Sequence, residues 1–181
     1  KEVIEYYTKL IKSVPDAKII LYNFEKLCGY KFSVDCVENL AARFPKNIIG
    51  VKDSSYNLMG NLKIKNFSIL PGSELKLLSG LKKDCSGIIT ATCNVTAKLA
   101  RKVFDDFEQN IDQTVNDKLC EVRKAFDQFN LISGLHSFLS LTDKQFLNIL
   151  PTCSLLSKQD EKTLIDKLKD LDFLGKDFKA A

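Results

Sequence analysis

Two reactive side chains lie at the ends of apolar segments of the chain. Tyr22 ends the apolar run 19–21, and Lys52 ends the run 48–51. Lysine is uncommon at the end of a buried segment, because burial disfavours its charged form. The same desolvation lowers the pKa of the amine and makes it a nucleophile towards carbonyl compounds. A tyrosine on the neighbouring strand could transfer protons beside that amine. The pattern alone also allows Lys52 to pair with Asp53 and Tyr22 to be a core or rim residue.

Further candidate binding residues follow two later apolar segments. Gly72 permits a tight turn after residues 67–70, and Ser73 precedes a predicted helix. The Ser73 hydroxyl and the amides of that helix N-terminus could bind a carboxylate or a sugar hydroxyl. An ordinary helix cap is the alternative interpretation of Ser73. Thr90 and Thr92 end the last apolar segment and could line the same site, although threonine is also common in strands.

The elements that must position these residues alternate between strand and helix. Helices are expected between the strands, including a short one at 58–64. Such alternation is typical of parallel sheets, and the close spacing of the strand ends favours a TIM barrel over a Rossmann sheet. The sequence contains no glycine-rich phosphate-binding motif. Continuous apolar runs predict four strands, at 18–22, 48–52, 67–71 and 86–90.

The number of predicted strands is half of the eight that a (β/α)8 TIM barrel needs. The sequence therefore predicts an α/β fold in which residues 1–110 form the C-terminal half of a TIM barrel. Residues 111–181 show only helical patterns and are predicted to form a C-terminal helical extension. Because an open half-barrel would expose apolar edges, we expect the chain to be part of a larger protein. A small open-sheet α/β domain is the alternative.

Composition and charge argue against several functional classes. The net charge is +4, with 27 basic and 23 acidic residues interspersed, so no nucleic-acid partner is expected. No apolar run approaches the roughly 20 residues of a membrane helix, and the first residues do not resemble a signal peptide. The single histidine, His136, and six cysteines without a CxxC pair argue against a metal site. We therefore expect a cytoplasmic protein with reduced thiols, no membrane contact and no metal.

A series of short motifs resembles the dihydrodipicolinate synthase / N-acetylneuraminate lyase superfamily. The motifs are Leu21-Tyr22-Asn23, Ile48-Ile49-Gly50-Val51-Lys52-Asp53-Ser54-Ser55, Leu70-Pro71-Gly72-Ser73-Glu74 and Ser86-Gly87-Ile88-Ile89-Thr90-Ala91-Thr92-Cys93-Asn94-Val95. The resemblance implies a (β/α)8 barrel followed by a helical extension, and a homotetramer or homodimer when complete. It also implies pyruvate and an aldehyde as small-molecule partners.

The resemblance further implies roles for single residues. The family lysine at the position of Lys52 forms a Schiff base with pyruvate or another 2-oxo acid, and the tyrosine at the position of Tyr22 shuttles protons. The iminium ion is the electron sink for making or breaking a carbon–carbon bond, so neither a metal nor a bound cofactor is needed. The third and fourth motifs supply the expected substrate-binding residues Gly72, Ser73, Glu74, Thr90 and Ala91.

Departures from the family pattern bear on the substrate. Glu25 and Leu27 stand where dihydrodipicolinate synthases carry a proline and the arginine that binds the distal carboxylate of the aldehyde. An apolar residue at the Leu27 position is typical of neuraminate lyase-like members and favours a sugar acid of the 2-keto-3-deoxy or N-acetylneuraminate type. Ser73 and Ala91 differ from neuraminate lyases, so a 2-keto-3-deoxy sugar acid aldolase is equally compatible. Dihydrodipicolinate synthase activity is one alternative, and a non-catalytic remnant or binding protein is another.

The sequence also lacks a motif that the family uses to bind pyruvate. This turn, of the type Gly-Thr/Ser-Thr/Ser-Gly-Glu, holds the pyruvate carboxylate and does not occur in the chain. Taken alone, the 181-residue chain is therefore expected to bind 2-oxo acids poorly or not at all.

Overall fold

A computed structural model describes residues 1–174 of the chain. The chain divides into two compact units, Lys1–Ile89 and Thr90–Ala181. The first unit contains a parallel sheet with helices, and the second contains helices. The predicted boundary after residue 110, between a half-barrel and a helical extension, stays a prediction. In the structure, the helix Cys93–Glu108, which precedes that boundary, packs with the later helices in the second unit.

The first unit is built on three parallel strands in the order β1–β2–β3. Helices connect the first strand to the second, as the alternating pattern predicts, whereas residues 54–67 connect the second strand to the third without a helix. In register, Leu21 lies opposite Val51, and Val51 lies opposite Ile69. The strands are β1 (Ile19–Asn23), β2 (Ile48–Asp53) and β3 (Ser68–Pro71), and the helices are α1 (Glu2–Ser13), α2 (Glu25–Cys28), α3 (Val34–Arg43) and α4 (Leu77–Leu81).

The two faces of this sheet differ in how far they are buried. Leu21 and Val51 are fully buried and belong to one hydrophobic core with side chains of α1 and α3. On the opposite face of β1, Ile20 is 42% exposed and Tyr22 is half-buried. This difference follows from strand geometry, which turns successive side chains to opposite faces. Tyr22 and Lys52 therefore lie on the less covered face.

The fourth predicted strand, at 86–90, is corrected by the structure. This segment is extended and donates two backbone hydrogen bonds to β3, from Ser86 N to Ile69 O at 2.9 Å and from Ile89 N to Pro71 O at 3.1 Å. It forms no regular ladder, because Gly87 has φ of +135° and interrupts the strand conformation. The described residues thus contain three regular strands of the four predicted.

The short helix predicted at 58–64 is also absent. These residues form turns, in which Asn61 N and Leu62 N both donate to Leu58 O. Gly60 has φ of +80°, a left-handed conformation that ends any helix started at Leu58. The apolar residues that suggested a helix, Leu58 and Leu62, are buried in the core of the first unit from this irregular loop.

The second unit consists of helices around a separate hydrophobic core. Phe126, Leu164 and Leu168 are fully buried in it. Side chains cap two of the helices, as Asn130 accepts from Ile132 N and Ser133 N and Ser157 accepts from Asp160 N. Within residues 1–174, no helix is long and apolar enough to cross a membrane. The helices are α5 (Cys93–Glu108), α6 (Asn116–Asp127), α7 (Leu131–Leu139) and α8 (Lys158–Asp170).

Candidate active site

Lys52 and Tyr22 meet at the carboxyl ends of two neighbouring strands. The two residues are register partners on β2 and β1. The Nζ atom of Lys52 lies 4.3 Å from the centroid of the Tyr22 ring. At this distance the ring face attracts the ammonium group electrostatically and holds the flexible lysine stem in place. Both side chains are half-buried, so the amine stays accessible to a small carbonyl compound.

Gly50 lets β2 and β3 approach each other closely beneath Lys52. A Cβ atom at Gly50 would lie 2.6 Å from the carbonyl oxygen of Ser68. No side chain fits at that distance from a backbone atom. Glycine at position 50 therefore leaves the room that the neighbouring backbone needs.

A buried polar network lies on the other face of the sheet, directly behind the reactive pair. Asn23 and Asp53, the residues after Tyr22 and Lys52, are both fully buried. The Asn23 Nδ2 atom donates to Asp53 Oδ1 and to Asn57 Oδ1, each at 2.8 Å. The sequence pattern suggests Asp53 only as a possible partner of Lys52 and gives Asn23 no role, whereas in the structure the two side chains bind each other. Their signal was a polar side chain at the strand position that faces the apolar core, where an unpaired polar group would be costly.

Backbone hydrogen bonds join the loops after the three strands. Ser54 N donates to Asn23 O at 2.9 Å, which holds the turn after Lys52 over the end of β1. Gly72 N donates to Asp53 O at 3.2 Å, which links the third motif to the second. A Cβ at Gly72 would lie 2.1 Å from Ser54 Oγ, so glycine is required for this approach. The structure thus brings Gly72 to the loop that follows Lys52.

Ser73 and Glu74, predicted to bind substrate, are buried side chains. Ser73 is 3% exposed, and its hydroxyl accepts a hydrogen bond from Leu75 N at 3.3 Å. Ser73 thus caps the short 3-10 helix Glu74–Lys76, which is the alternative interpretation of this residue. Glu74 is fully buried and has interaction partners of its own. A substrate contact by either side chain stays a prediction.

Thr90 and Ala91, the other predicted binding residues, belong to the second unit. The Thr90 hydroxyl accepts from Arg123 Nη1 at 3.0 Å, and Arg123 Nε donates to Asp127 Oδ1 at 2.8 Å. Ala91 is exposed, and its carbonyl oxygen accepts from the Asn94 side chain at 2.8 Å. Their assignment to substrate binding also stays a prediction.

An open cavity of about 530 Å³ adjoins Tyr22 in the first unit. Its walls are largely aromatic, with the rings of Tyr30 and Phe32 packed edge to face at 5.1 Å between centroids. Burial raises the pKa of the Tyr7 hydroxyl in this wall, and Tyr6 beside it adds to the effect. The cavity is lined by Glu2, Val3, Tyr6, Tyr7, Tyr22, Cys28, Tyr30 and Phe32.

One thiol near the polar network is strongly perturbed. Cys85 is 6% exposed, and burial together with the negative charge of Asp53 raises its pKa to about 11. A thiol with this pKa stays protonated and unreactive at neutral pH. Among residues 1–174, no three histidine, cysteine, aspartate or glutamate side chains are grouped as ligands for a metal ion.

Comparison with known families gives one match over most of the chain. Residues 1–170 match the Dihydrodipicolinate synthetase family. An uncharacterized DapA-like lyase of Chloroflexus aurantiacus is 28% identical over 146 residues, which are 77% of this chain and 49% of that protein. A 4-hydroxy-tetrahydrodipicolinate synthase of Wigglesworthia glossinidia brevipalpis is 32% identical over 100 residues, 52% of this chain and 33% of that protein. The chain thus spans about half or less of the length of these relatives.

Two solved structures have the same fold as this chain over most of its length. A prophage protein of the dihydrodipicolinic acid synthase family from E. coli K12, solved with pyruvate, superposes with a TM-score of 0.84 at 20% identity. The match covers 96% of this chain and 62% of that one. The dihydrodipicolinate synthase of Thermotoga maritima gives a TM-score of 0.82 at 18% identity, over 94% of this chain and 61% of that one. The fold is therefore that of a partial (β/α)8 barrel with added helices.

Proposed function

Since the chain belongs to the dihydrodipicolinate synthetase family, we propose that it carries the reactive lysine of a class I aldolase or lyase. In this proposal Lys52 forms a Schiff base with pyruvate or another 2-oxo acid. The observation that carries it is the position of Lys52 Nζ, 4.3 Å from the Tyr22 ring centroid at the carboxyl end of a parallel strand. Reactive groups collect at that end of the strands in barrel enzymes.

The proposed reaction uses only the amine and a proton carrier. After Lys52 loses a proton, its Nζ adds to the carbonyl carbon of the 2-oxo acid, and the adduct expels water to leave a protonated imine. Loss of a proton from the adjacent carbon gives an enamine, which attacks the aldehyde carbon and forms the new bond. The aldehyde oxygen takes up a proton, which the Tyr22 hydroxyl supplies. Water then hydrolyses the product imine, which releases the product and the Lys52 amine, and Tyr22 regains a proton from water. Cleavage follows the same steps in reverse. Neither a metal nor a bound cofactor takes part in this scheme.

For the aldehyde we propose a sugar-derived compound, so that the substrate is a 2-keto-3-deoxy acid or an N-acetylneuraminate-type acid. Leu27 supports this choice, because its exposed apolar side chain cannot bind a distal carboxylate as an arginine would. A second candidate is 4-hydroxy-tetrahydrodipicolinate synthase, the name carried by several relatives. Comparing cleavage of sugar acids with condensation of pyruvate and a carboxylate-bearing aldehyde separates the two.

Assembly and location are further proposals from the family resemblance. We expect a homotetramer or homodimer of the complete protein, located in the cytoplasm. Light scattering on the purified full-length protein measures the first, and cell fractionation measures the second. A non-catalytic binding protein of the family is the remaining alternative, and it would bind 2-oxo acids without turnover.

Trapping with borohydride tests the function directly. The full-length protein is incubated with pyruvate and borohydride, and the reduced adduct is located by peptide mass mapping. We expect one adduct, on Lys52, and its loss in the Lys52→Arg variant, which keeps the charge but not the nucleophile. Lys76→Ala is a matched control, because Lys76 Nζ also lies over a tyrosine ring, 5.5 Å from the centroid of Tyr56. Absence of an adduct in the full-length protein, or an adduct that survives Lys52→Arg, would refute the proposal.

A further inference from the structure

We propose that Asn23 and Asp53 form a positioning pair that sets the geometry of Tyr22 and Lys52 from behind the sheet. This inference rests on the proposed function, since it concerns the same reactive amine. Each member of the pair directly follows one of the reactive residues on its strand, and the two are themselves register partners. Strand alternation turns the reactive pair to one face and the positioning pair to the other.

The Asn23–Asp53 contact has a fixed polarity. Asp53 Oδ1 accepts from Asn23 Nδ2 at 2.8 Å, while Asp53 Oδ2 accepts from Leu58 N at 2.9 Å and from Met59 N at 3.0 Å. Asn23 Oδ1 is occupied as well, since it accepts from Phe32 N at 3.0 Å. Asn23 therefore cannot be turned over, because its Oδ1 would then face Asp53 Oδ1 and its Nδ2 would face Phe32 N, whereas the Asp53 carboxylate accepts through either oxygen.

The pair ties the loops after β1 and β2 to the ends of their strands. Through Asp53, the loop after β2 is held by its own backbone N–H groups at Leu58 and Met59. Through Asn23, the loop after β1 is held at Phe32. Both side chains are fully buried, so water cannot replace a lost hydrogen-bond partner. In this low-dielectric interior, each hydrogen bond of the pair is also electrostatically stronger than it would be in water.

Imine chemistry is sensitive to this arrangement. The amine must meet a carbonyl carbon while the Tyr22 hydroxyl stays within reach of the developing oxygen or nitrogen. A misplacement of about 1 Å can cost about a hundredfold in rate. Because Asn23 and Asp53 do not face the reactive side of the sheet, they act through Lys52 and Tyr22 and do not touch substrate.

Asp53→Asn is the sharpest test, because it changes one atom of the pair. The new amide group must face either the Asn23 amide or the backbone N–H groups, which sets donor against donor. In the full-length protein we expect the maximal rate of borohydride trapping of pyruvate to fall by about tenfold or more. We expect the half-saturating pyruvate concentration to change little, since no substrate contact is removed.

The double variant Asn23→Asp/Asp53→Asn tests the specific bond. It exchanges donor and acceptor, so the carboxylate at position 23 accepts both from the amide at position 53 and from Phe32 N. The second bond of Asn23, to Asn57 Oδ1, is not restored. We therefore expect partial recovery, to at least about threefold above the single variant.

Asn47→Ala is the matched control for general loss of stability. Asn47 is also a buried asparagine of the first unit, and its Nδ2 donates to Pro15 O and Ala17 O at the amino end of β2. Urea unfolding gives the stability that each variant loses. If Asn47→Ala slows trapping as much as Asp53→Asn for the same loss of stability, or if Asp53→Asn traps like the wild type, the positioning role is wrong.

A replacement variant and a comparison with the wild type complete the test. If Asp53→Asn does not fold, Asn57→Ala replaces it, because Asn57 accepts the second Asn23 hydrogen bond and donates to Phe32 O. There we expect about a threefold or larger loss of trapping rate, and no loss contradicts the proposal. Wild-type protein without any Lys52 adduct refutes the proposed function, whereas a wild-type adduct with unaffected variants refutes only the positioning role.

Discussion

Lys52 Nζ lies over the face of the Tyr22 ring, 4.3 Å from its centroid, and the two residues are register partners on adjacent parallel strands. This contact uses the ring and leaves the phenolic hydroxyl available for proton transfer. In Tyr22 the ring therefore positions the Lys52 amine, and the hydroxyl transfers the proton. A substitution that removes only the hydroxyl tests the second role while keeping the first.

Tyr22→Phe is expected to keep imine formation and to slow carbon–carbon chemistry. The phenylalanine ring still attracts the Lys52 ammonium group, but it has no hydroxyl to donate a proton to the aldehyde oxygen. Loss of a general acid or base typically costs about 10²- to 10⁴-fold. Single-turnover trapping and steady-state turnover of the full-length protein measure the two steps separately. Unchanged turnover would remove Tyr22 from the mechanism.

Gly72→Ala is expected to destabilise the first unit by about 1–3 kcal/mol. The added Cβ would lie 2.1 Å from Ser54 Oγ and 3.0 Å from Ser54 Cβ. Adding Ser54→Gly removes these two atoms and leaves only Ser54 Cα, at 3.2 Å, so it should recover most of the loss. Gly50→Ala should have no such rescue, because the obstructing atom there is the carbonyl oxygen of Ser68. Urea unfolding followed by circular dichroism tests these differences, and an unchanged midpoint for Gly72→Ala would contradict them.

Cys85 is expected to make stability fall as the pH rises above about 9. Burial and Asp53 raise its folded-state pKa from 9.0 to about 11. Between these values the unfolded chain has released the thiol proton and the folded chain has not, so unfolding is increasingly favoured. The stabilisation is complete below the unfolded pKa and is lost as the pH rises to the folded one. Unfolding free energies of wild type and Cys85→Val, compared across this range, should diverge, and parallel curves would show that the thiol is not perturbed.

Phe126→Ala is expected to destabilise the second unit by about 3–5 kcal/mol. The ring is fully buried and packs edge to face against Phe138, with 5.7 Å between centroids. Ile132→Ala is the control, because Ile132 is 51% exposed on α7 and should change stability by less than about 0.5 kcal/mol. Thermal unfolding measures both variants. Equal effects would mean that Phe126 does not anchor this core.

The strands could be predicted where apolar residues run without interruption. Residues 19–21 and 48–51 form β1 and β2 nearly as expected, and all of them except Ile20 are buried or partly buried. The segment 86–90 has two large apolar residues, Ile88 and Ile89, and contains Gly87, whose positive φ interrupts pairing. A glycine in a strand pattern permits either outcome, and only the neighbouring backbone decides between them.

The reactive pair could be predicted from the sequence, whereas the polar network behind it could not. Tyr22 and Lys52 end equivalent strands, so a parallel sheet brings them together. The role of Asp53 depends on the N–H groups of Leu58 and Met59, in a loop that the periodicity had suggested was helical. Loop hydrogen bonds follow from backbone geometry more than from residue type, so side-chain patterns carry little signal for them.

The buried Asn23–Asp53 hydrogen bond also limits how this sequence can diverge. Exchanging amide for carboxylate, or the reverse, at one position leaves a donor facing a donor or an acceptor facing an acceptor in a buried site. Exchange at both positions restores this bond but not the bond to Asn57 Oδ1, so a sequence with both changes is expected to be less impaired than either one-step intermediate. Any path of single substitutions between such sequences passes through a variant that is more impaired than either end. Substitutions at these two positions, which lie 30 residues apart, are therefore expected to occur together in related sequences.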